Sequence, residues 1–327
     1  MISIVVCTYN GKSRIEPCLA SLVSQVNAPE YELLVVDNAS TDQTENFIRD
    51  YLDSGFPQGD WKLLHESKSG LLHARIRGLN AAKFDWVLFC DDDNVLFPDF
   101  LYQCQKLLSG KSSIGVLGSH GIPDFSGSKP EWFDSYASSY AVGPQPGSNP
   151  RAGHLAYVYG ACSVYRKKPL LDLFHKGFKP VLSGRKEGEM SSGDDVEWCA
   201  LMQLLGFSIA YSEKLKFHHQ LPASRLTWEY YLRLKQGISG SAGLLFSYQF
   251  YFGNTIRSSS IFKIKYWKSQ TTSWLLFQKY RIRWNGNPQS PEDQLAYTIL
   301  EARMKAFSNH RNQALYHYHQ LEKYFGA

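Results

Sequence analysis

Apolar residues in the first hundred positions fall into short runs separated by stretches of helical spacing. "ISIVVCT" (2–8), "YELLVVDN" (31–38), "WKLLHES" (61–67) and "WVLFCDDD" (86–93) read as strands. Between them, "SRIEPCLASLVSQ" (13–25) sets Ile15, Leu19, Leu22 and Val23 on one helical face. "STDQTENFIRDYL" (40–52) opens with helix-capping chemistry, and "GLLHARIRGLNAA" (70–82) is again helical. Three of the strands are apolar without alternation, as strands buried on both faces are. The pattern predicts an α/β fold: a Rossmann-like, mostly parallel central sheet with helices on both faces.

In such sheets, ligands bind at the carboxyl ends of the strands. The polar clusters lie there. Thr8, Tyr9 and Asn10 follow the first strand, Asp37 and Asn38 the second, Glu66 the third, and Asp91, Asp92 and Asp93 the fourth. Neither a G-x-G-x-x-G fingerprint nor a P-loop follows the first strand.

The pattern changes after 118. Residues 119–155, rich in Gly, Pro, Ser and aromatics, read as long loops of the kind that form lids. "YVYGACSVYRKKPL" (157–170) restores a strand and a helix start. The segment 178–219 gives a polar Gly/Ser loop, a helix that stops at Gly206, and a strand ending in His218-His219. Beyond 225 the chain is helical and aromatic, over 225–241, 263–284 and 290–325.

The overall charge of +5 conceals an asymmetry, because residues 225–327 carry 14 Lys/Arg against 5 Asp/Glu. A basic region of this kind suits an anionic partner or a solvated surface. The acidic strand ends argue against nucleic acid for the N-terminal part. Six scattered cysteines form no C-x-x-C pair, which speaks against a cysteine zinc site. "MISIVVCTYN" lacks the basic segment of a signal peptide, and no run reaches membrane-span length. The expected compartment is cytoplasmic and reducing.

Three adjacent carboxylates repel one another unless a cation shares the site. Alternate residues of a strand end point the same way, so Asp91 and Asp93 suit a hard divalent cation, Mn²⁺ or Mg²⁺. The bland alternative is an acidic turn. Asp37 suits a base or ribose donor, or caps the next helix. Asp194-Asp195 opens a helix, where acids favour the macrodipole; the functional alternative is a general base. His218 or His219 is a metal ligand or a structural hydrogen-bonding residue. Arg75 suits a phosphate.

"SIVVCTYNG", "LLVVDNASTDQT", "GLLHARIRGL", "WVLFCDDDN", "YGACSVYRKKPL" and "SSGDDVEWCALMQLLGFSIAYSEKLKFHH", in that order, resemble the family 2 nucleotide-sugar glycosyltransferases, which have the GT-A fold. The likeness covers about residues 1–235. It implies a catalytic domain with a nucleotide-binding half (about 1–118) and an acceptor-binding half (about 119–235), followed by a helical region at 236–327. By resemblance, Thr8, Tyr9, Asn10, Asp37, Asn38, Glu66, Gly70, Ala74, Arg75, Asp91 and Asp92 bind the nucleotide sugar. Gly160 and Ala161 line the sugar and acceptor pocket. Asp93, with Asp91 and His218 or His219, holds the metal. Asp195 is the catalytic base, beside Asp194. The family's Glu is replaced here by Asp194, and the Asn that often follows Arg75 is Ile76.

The implied reaction is inverting transfer from a UDP-sugar to a hydroxyl of a saccharide or lipid-linked acceptor, in cell-surface polysaccharide or glycoconjugate synthesis. A nucleotidyltransferase and a non-catalytic nucleotide-sugar binder are the rival readings. Over 257–284, aromatic and basic residues interleave, which suits a peripheral contact with the inner face of a membrane. A helical packing face or a dimer contact is the alternative there.

Overall fold

The computed structural model describes residues 1–56, 60–145, 155–185 and 190–326. Four strands, β1 (Ile2–Thr8), β2 (Tyr31–Asp37), β3 (Asp60–His65) and β4 (Trp86–Asp91), pair in parallel in the order β3-β2-β1-β4. Helices α1 (Ile15–Val23), α2 (Thr44–Gly55) and α3 (Leu71–Ala81) connect them. Parallel strands with helical crossovers all end at one rim. The register brings the expected residues together there: Thr8 lies opposite Asp37, and Cys7 opposite Asp91.

The sheet then turns mixed. Next come β5 (Asn94–Leu96), α4 (Phe100–Leu108), β6 (Ile114–Phe125), α5 (Phe133–Tyr136), β7 (Ser163–Arg166), α6 (Lys167–His175), α7 (Asp194–Leu204) and β8 (Ser208–Leu221). β7 is antiparallel to β4 and β6, β8 runs parallel to β6, and β5 pairs antiparallel with β8. The loop expected from 119 begins later than the composition suggested, because β6 continues to Phe125 against β8. Residues 146–154 of that stretch, and 186–189 of the Gly/Ser loop, lie outside the described residues.

Pleating divides the core in two. Ile4, Val6, Leu33, Val35 and Leu88 pack on one face with α1, α2 and α4. Val5, Leu34, Val36, Val87 and Phe89 pack on the other with α3, α6 and α7. Trp198 of α7 is buried, with its ring 5.4 Å from Phe89, 5.7 Å from Tyr165 and 5.6 Å from Phe174. Truncating such a side chain costs roughly 3–5 kcal/mol. This anchor fixes α7, and with it the acids at its start, against the sheet. Gly78 lets α3 approach β1: a Cβ there would sit 2.3 Å from Val5 Cγ1.

The C-terminal helices are α8 (Trp228–Gly240), α9 (Ala242–Gly253), α10 (Ser259–Arg283), α11 (Pro291–Asn309) and α12 (Arg311–Phe325). The boundary drawn at 235 falls within α8. Tyr248, Phe262, Phe307 and Tyr318 join the same apolar cluster as Val5 and Trp198, so these helices extend the core of the sheet. The helical pattern at 290–325 is two helices with a break at His310. No helix is long and apolar enough to cross a membrane among the described residues.

Candidate active site

A cavity of about 1470 Å³ opens at the rim, lined among others by Thr8, Asp91, Asp93, Gly160, Asp195 and His219. The three consecutive acids hold three different sets of partners. Arg14 grips Asp92 with two nitrogens, at 2.8 and 2.7 Å, and Thr8 Oγ1 donates to it at 2.6 Å. Asp93 Oδ2 accepts from Arg225 Nη1 at 2.7 Å, and His219 Nε2 lies 3.6 Å from Asp93 Oδ1. Burial alone would push Asp93 upward, but His219 and Arg225 outweigh it and hold the carboxyl well below the usual range. Asp91 lines the cavity with its side chain 36% exposed and Arg75 Nη2 at 3.8 Å.

The two histidines separate, as neighbours on a strand must. His219 is buried, and its Nδ1 sits 2.7 Å from the carbonyl oxygen of Tyr140. With Nδ1 on that carbonyl, Nε2 is the ring nitrogen that faces Asp93 and the cavity, the one a metal would use. His218 points to the other side of β8 and stacks on Phe97 at 5.0 Å. Asp91, Asp93 and His219 line the same cavity without closing into one ligand cluster, and hard oxygens with one imidazole are a donor set that suits Mn²⁺ or Mg²⁺. His218 lies outside it.

At the mouth of the second strand, Asp37 is buried and its Oδ1 has no hydrogen-bond partner among the described residues. Such an atom needs a donor. Asn38 is engaged elsewhere: it donates to the carbonyls of Glu66 and Lys68 and accepts from Gly70 N–H, clamping the loop before α3. Glu66 accepts from Lys68 N–H and does not line the cavity. Asn10, at φ 49°, accepts from the amides of Thr41 and Asp42 and so ties the β1 loop to the entry of α2. Tyr9 lines the cavity, and its carbonyl accepts from Arg14.

The start of α3 is closed to a phosphate. The amides of Leu71 and Leu72 donate to the carbonyls of Arg185 and Ser183. Gly70 and Ala74 line the cavity just behind. Arg75 is buried over the Phe89 ring and donates to Asp194 Oδ2 at 2.6 Å. The fork expected to face a phosphate is thus engaged with the acid at the start of α7.

Gly193, at φ 102°, is the N-cap of α7, so neither acid takes that place. Asp195 accepts from Val196 N–H at 2.8 Å and from Gly160 N–H at 3.0 Å, and it lines the cavity. Burial and the neighbouring charge of Asp194 raise it to about 6, against the pull of those amides and Arg75. A Cβ on Gly160 would lie 2.9 Å from Arg75 Nη2 and 3.3 Å from Asp195 Cβ. The small residue is needed for the pair to close. Ala161 also lines the cavity.

Arg14 and Arg225 escaped the reading of the sequence. Arg14 sat in a helical pattern as one more polar position, and Arg225 in a turn just beyond His219; neither carries a local signal.

The chain is 29% identical over 109 residues to the putative glycosyltransferase EpsH of Bacillus subtilis, covering 33% of this chain and 29% of that protein. It is 25% identical over 124 residues to the poly(ribitol-phosphate) beta-N-acetylglucosaminyltransferase TarP of Staphylococcus aureus, covering 37% of each. The matches thus span about a third of the length of these curated relatives. A mannosyltransferase of Pyrobaculum calidifontis, solved with GDP-Man and Mn²⁺, superposes with a TM-score of 0.53 at 19% identity, over 100% of this chain and 75% of that one. TarS 1–349 of S. aureus, solved with UDP-GlcNAc, gives 0.51 at 18%, over 98% and 90%. At these identities the structures speak for the fold, which is the GT-A fold expected above. The sequence model described as Glycosyl transferase family 2 matches residues 3–174, just over half of the chain, and the protein belongs to that family.

Proposed function

We propose that this protein transfers a sugar from a nucleoside-diphosphate donor, UDP-sugar favoured, to a hydroxyl of a saccharide or lipid-linked acceptor, with inversion. The observation that carries the reading is one cavity holding Asp91, Asp93 and His219 together with a separate, raised carboxylate, Asp195. The nucleotide sugars and Mn²⁺ bound in the structural neighbours support it.

The roles follow from position. Asp37, at the end of β2 and outside the cavity lining, is the acceptor assigned to an N–H of the base; its Oδ1 is buried without a partner among the described residues and would have to turn outward to meet it. Asp92, locked by Thr8 and Arg14, is set toward the ribose. Asp91, Asp93 and His219 would hold the divalent cation, which would supply positive charge against the departing diphosphate. Arg14, Arg185 and Arg225 line the same cavity and add charge there. Asp195 Oδ atoms, oriented by two backbone amides, take the acceptor's proton. The acceptor oxygen attacks from the face opposite the leaving group, so one displacement inverts the anomeric centre. Asp194, paired with Arg75, keeps Asp195 in register rather than reacting itself.

Product analysis tests this reading. Incubation with UDP-sugars and Mn²⁺ should release nucleoside diphosphate and give the inverted anomer by proton NMR. Release of pyrophosphate from a nucleoside triphosphate, or retention of configuration, would contradict it.

A further inference from the structure

Large apolar side chains exposed to solvent concentrate on one element. Ile264 is 65% exposed, Trp267 58%, Trp274 49%, Leu275 55% and Ile282 78%, all on α10, and Ile256 just before it is 69%. Outside this segment and Leu276, only Met1, Val26 and Tyr316 are comparably exposed among the described residues. At 100° per residue, Ile264, Trp267, Trp274, Leu275 and Ile282 form one stripe, about 27 Å long at 1.5 Å per residue. The opposite face, Phe262, Tyr266, Ser273 and Phe277, is buried in the protein. Phe277 therefore belongs to the core. Tyr280 and Trp284 stack on each other at 4.8 Å and are half-buried, leaving two of the interleaved aromatics facing out.

Lys263 and Arg281 border the stripe on one side, and Lys265, Lys268, Lys279 and Arg283 on the other; α10 contains no Asp or Glu. A continuous apolar face of this size on a folded protein marks a contact surface. The charges select the occupant. Two copies meeting through this face would oppose basic borders with no acid on either helix to offset them. An anionic bilayer offers the complement: headgroup charge for the Lys/Arg borders and acyl surface for the Trp and Ile side chains.

We propose that the outward face of α10 lies in the surface of an anionic membrane, as a docking helix that does not cross it. The cavity bears on this. Its wall runs from Asp195 past Tyr230 and Leu245 to Thr255 and Arg257, just before α10 begins. A bilayer under α10 lies beside that end, where a lipid-anchored acceptor would enter; this last step rests on the function proposed above, while the docking does not.

The test uses the full chain and vesicles of phosphatidylcholine with or without phosphatidylglycerol. The wild type should float with the anionic vesicles at low salt, its tryptophan emission should shift to the blue, and added salt should release it. Two variants, I264S/W267S/I282S and K263E/K268E/K279E, should each lower the bound fraction about tenfold or more while UDP binding stays unchanged. If the apolar variant misfolds by circular dichroism, the charge-reversal variant carries the test. Wild type that stays unbound at low salt, or that binds neutral vesicles equally well, overturns the proposal. So does self-association abolished by I264S/W267S/I282S in place of vesicle binding. UDP binding is read separately, so failure of the docking leaves the transferase reading standing.

Discussion

Arg75 Nη1 lies 2.6 Å from Asp194 Oδ2, joining two residues 119 positions apart in the chain. Arg75 rides on α3, which is part of the first run of strands and helices. Asp194 opens α7, which Trp198 anchors against β4 and β7 in the middle of the sheet. The pair is buried and fixes the distance between the nucleotide rim and Asp195. A buried pair is expensive to break by removing one partner, roughly 3–5 kcal/mol. Its worth here is that Asp195 keeps one position.

Asp195 is the first residue to change. Asp195→Asn should reduce kcat by roughly 10²–10⁴-fold and leave donor binding intact. A base works only when deprotonated, and this carboxyl is raised to about 6. The kcat/KM of the wild type should therefore rise with pH, about tenfold per unit below that value, and level off above it. An initial-rate pH profile checks both the sign and the position of the bend.

Gly160 gives a purely steric test. Gly160→Ala forces its Cβ between Arg75 Nη2 and Asp195, and the arginine head is already held by Asp194. Activity should fall roughly ten- to a hundredfold with little change in melting temperature. Thermal unfolding beside steady-state rates separates the two effects.

The histidines give opposite expectations despite their adjacency. His219→Ala should weaken Mn²⁺-dependent nucleotide binding, because the ring faces Asp93. His218→Ala should leave that binding unchanged, since its ring stacks on Phe97 on the other side of β8. Calorimetric titration of both variants with UDP and Mn²⁺ decides between them.

Much of this was legible in the sequence. The parallel half of the sheet follows from unbroken apolar runs, and the clustering of Thr8, Asp37 and Asp91 follows from the rule that such strands end together. Local patterns carry less about what is assembled across long separations. Nothing near Arg14 or Arg225 signals that they grip Asp92 and Asp93. The choice of His219 over His218 depends on which face of β8 turns toward Asp93, and that is decided by tertiary pairing. The engagement of Asn38 and of the α3 amides was hidden likewise, because their partners lie in distant loops.

Glu197 shows how the site is supported from behind. It is fully buried and accepts from the amides of Val181 and Leu182 and from Tyr248 Oη, with His317 Nε2 3.7 Å away. Glu197→Ala leaves three donors unpartnered and should cost roughly 3–5 kcal/mol, read by urea unfolding. Burial raises this carboxyl to about 7, against those hydrogen bonds. Its folded value thus exceeds its unfolded one, so the Glu197-linked stability is full below the unfolded pKa and is lost as pH rises through about 7. His317, lowered to about 3 by its own burial, stays neutral across that window. The stability difference between wild type and Glu197→Gln, measured from acid to neutral pH, should follow that sign.

The central claim is that the acids at the end of β4 and His219 form a metal-dependent donor site. Calorimetric titration of UDP and UDP-sugars with and without Mn²⁺, on the wild type and on Asp93→Ala, tests it most directly. Binding should require the metal and be lost in the variant. Binding of equal strength without metal, or undiminished in Asp93→Ala, would contradict it.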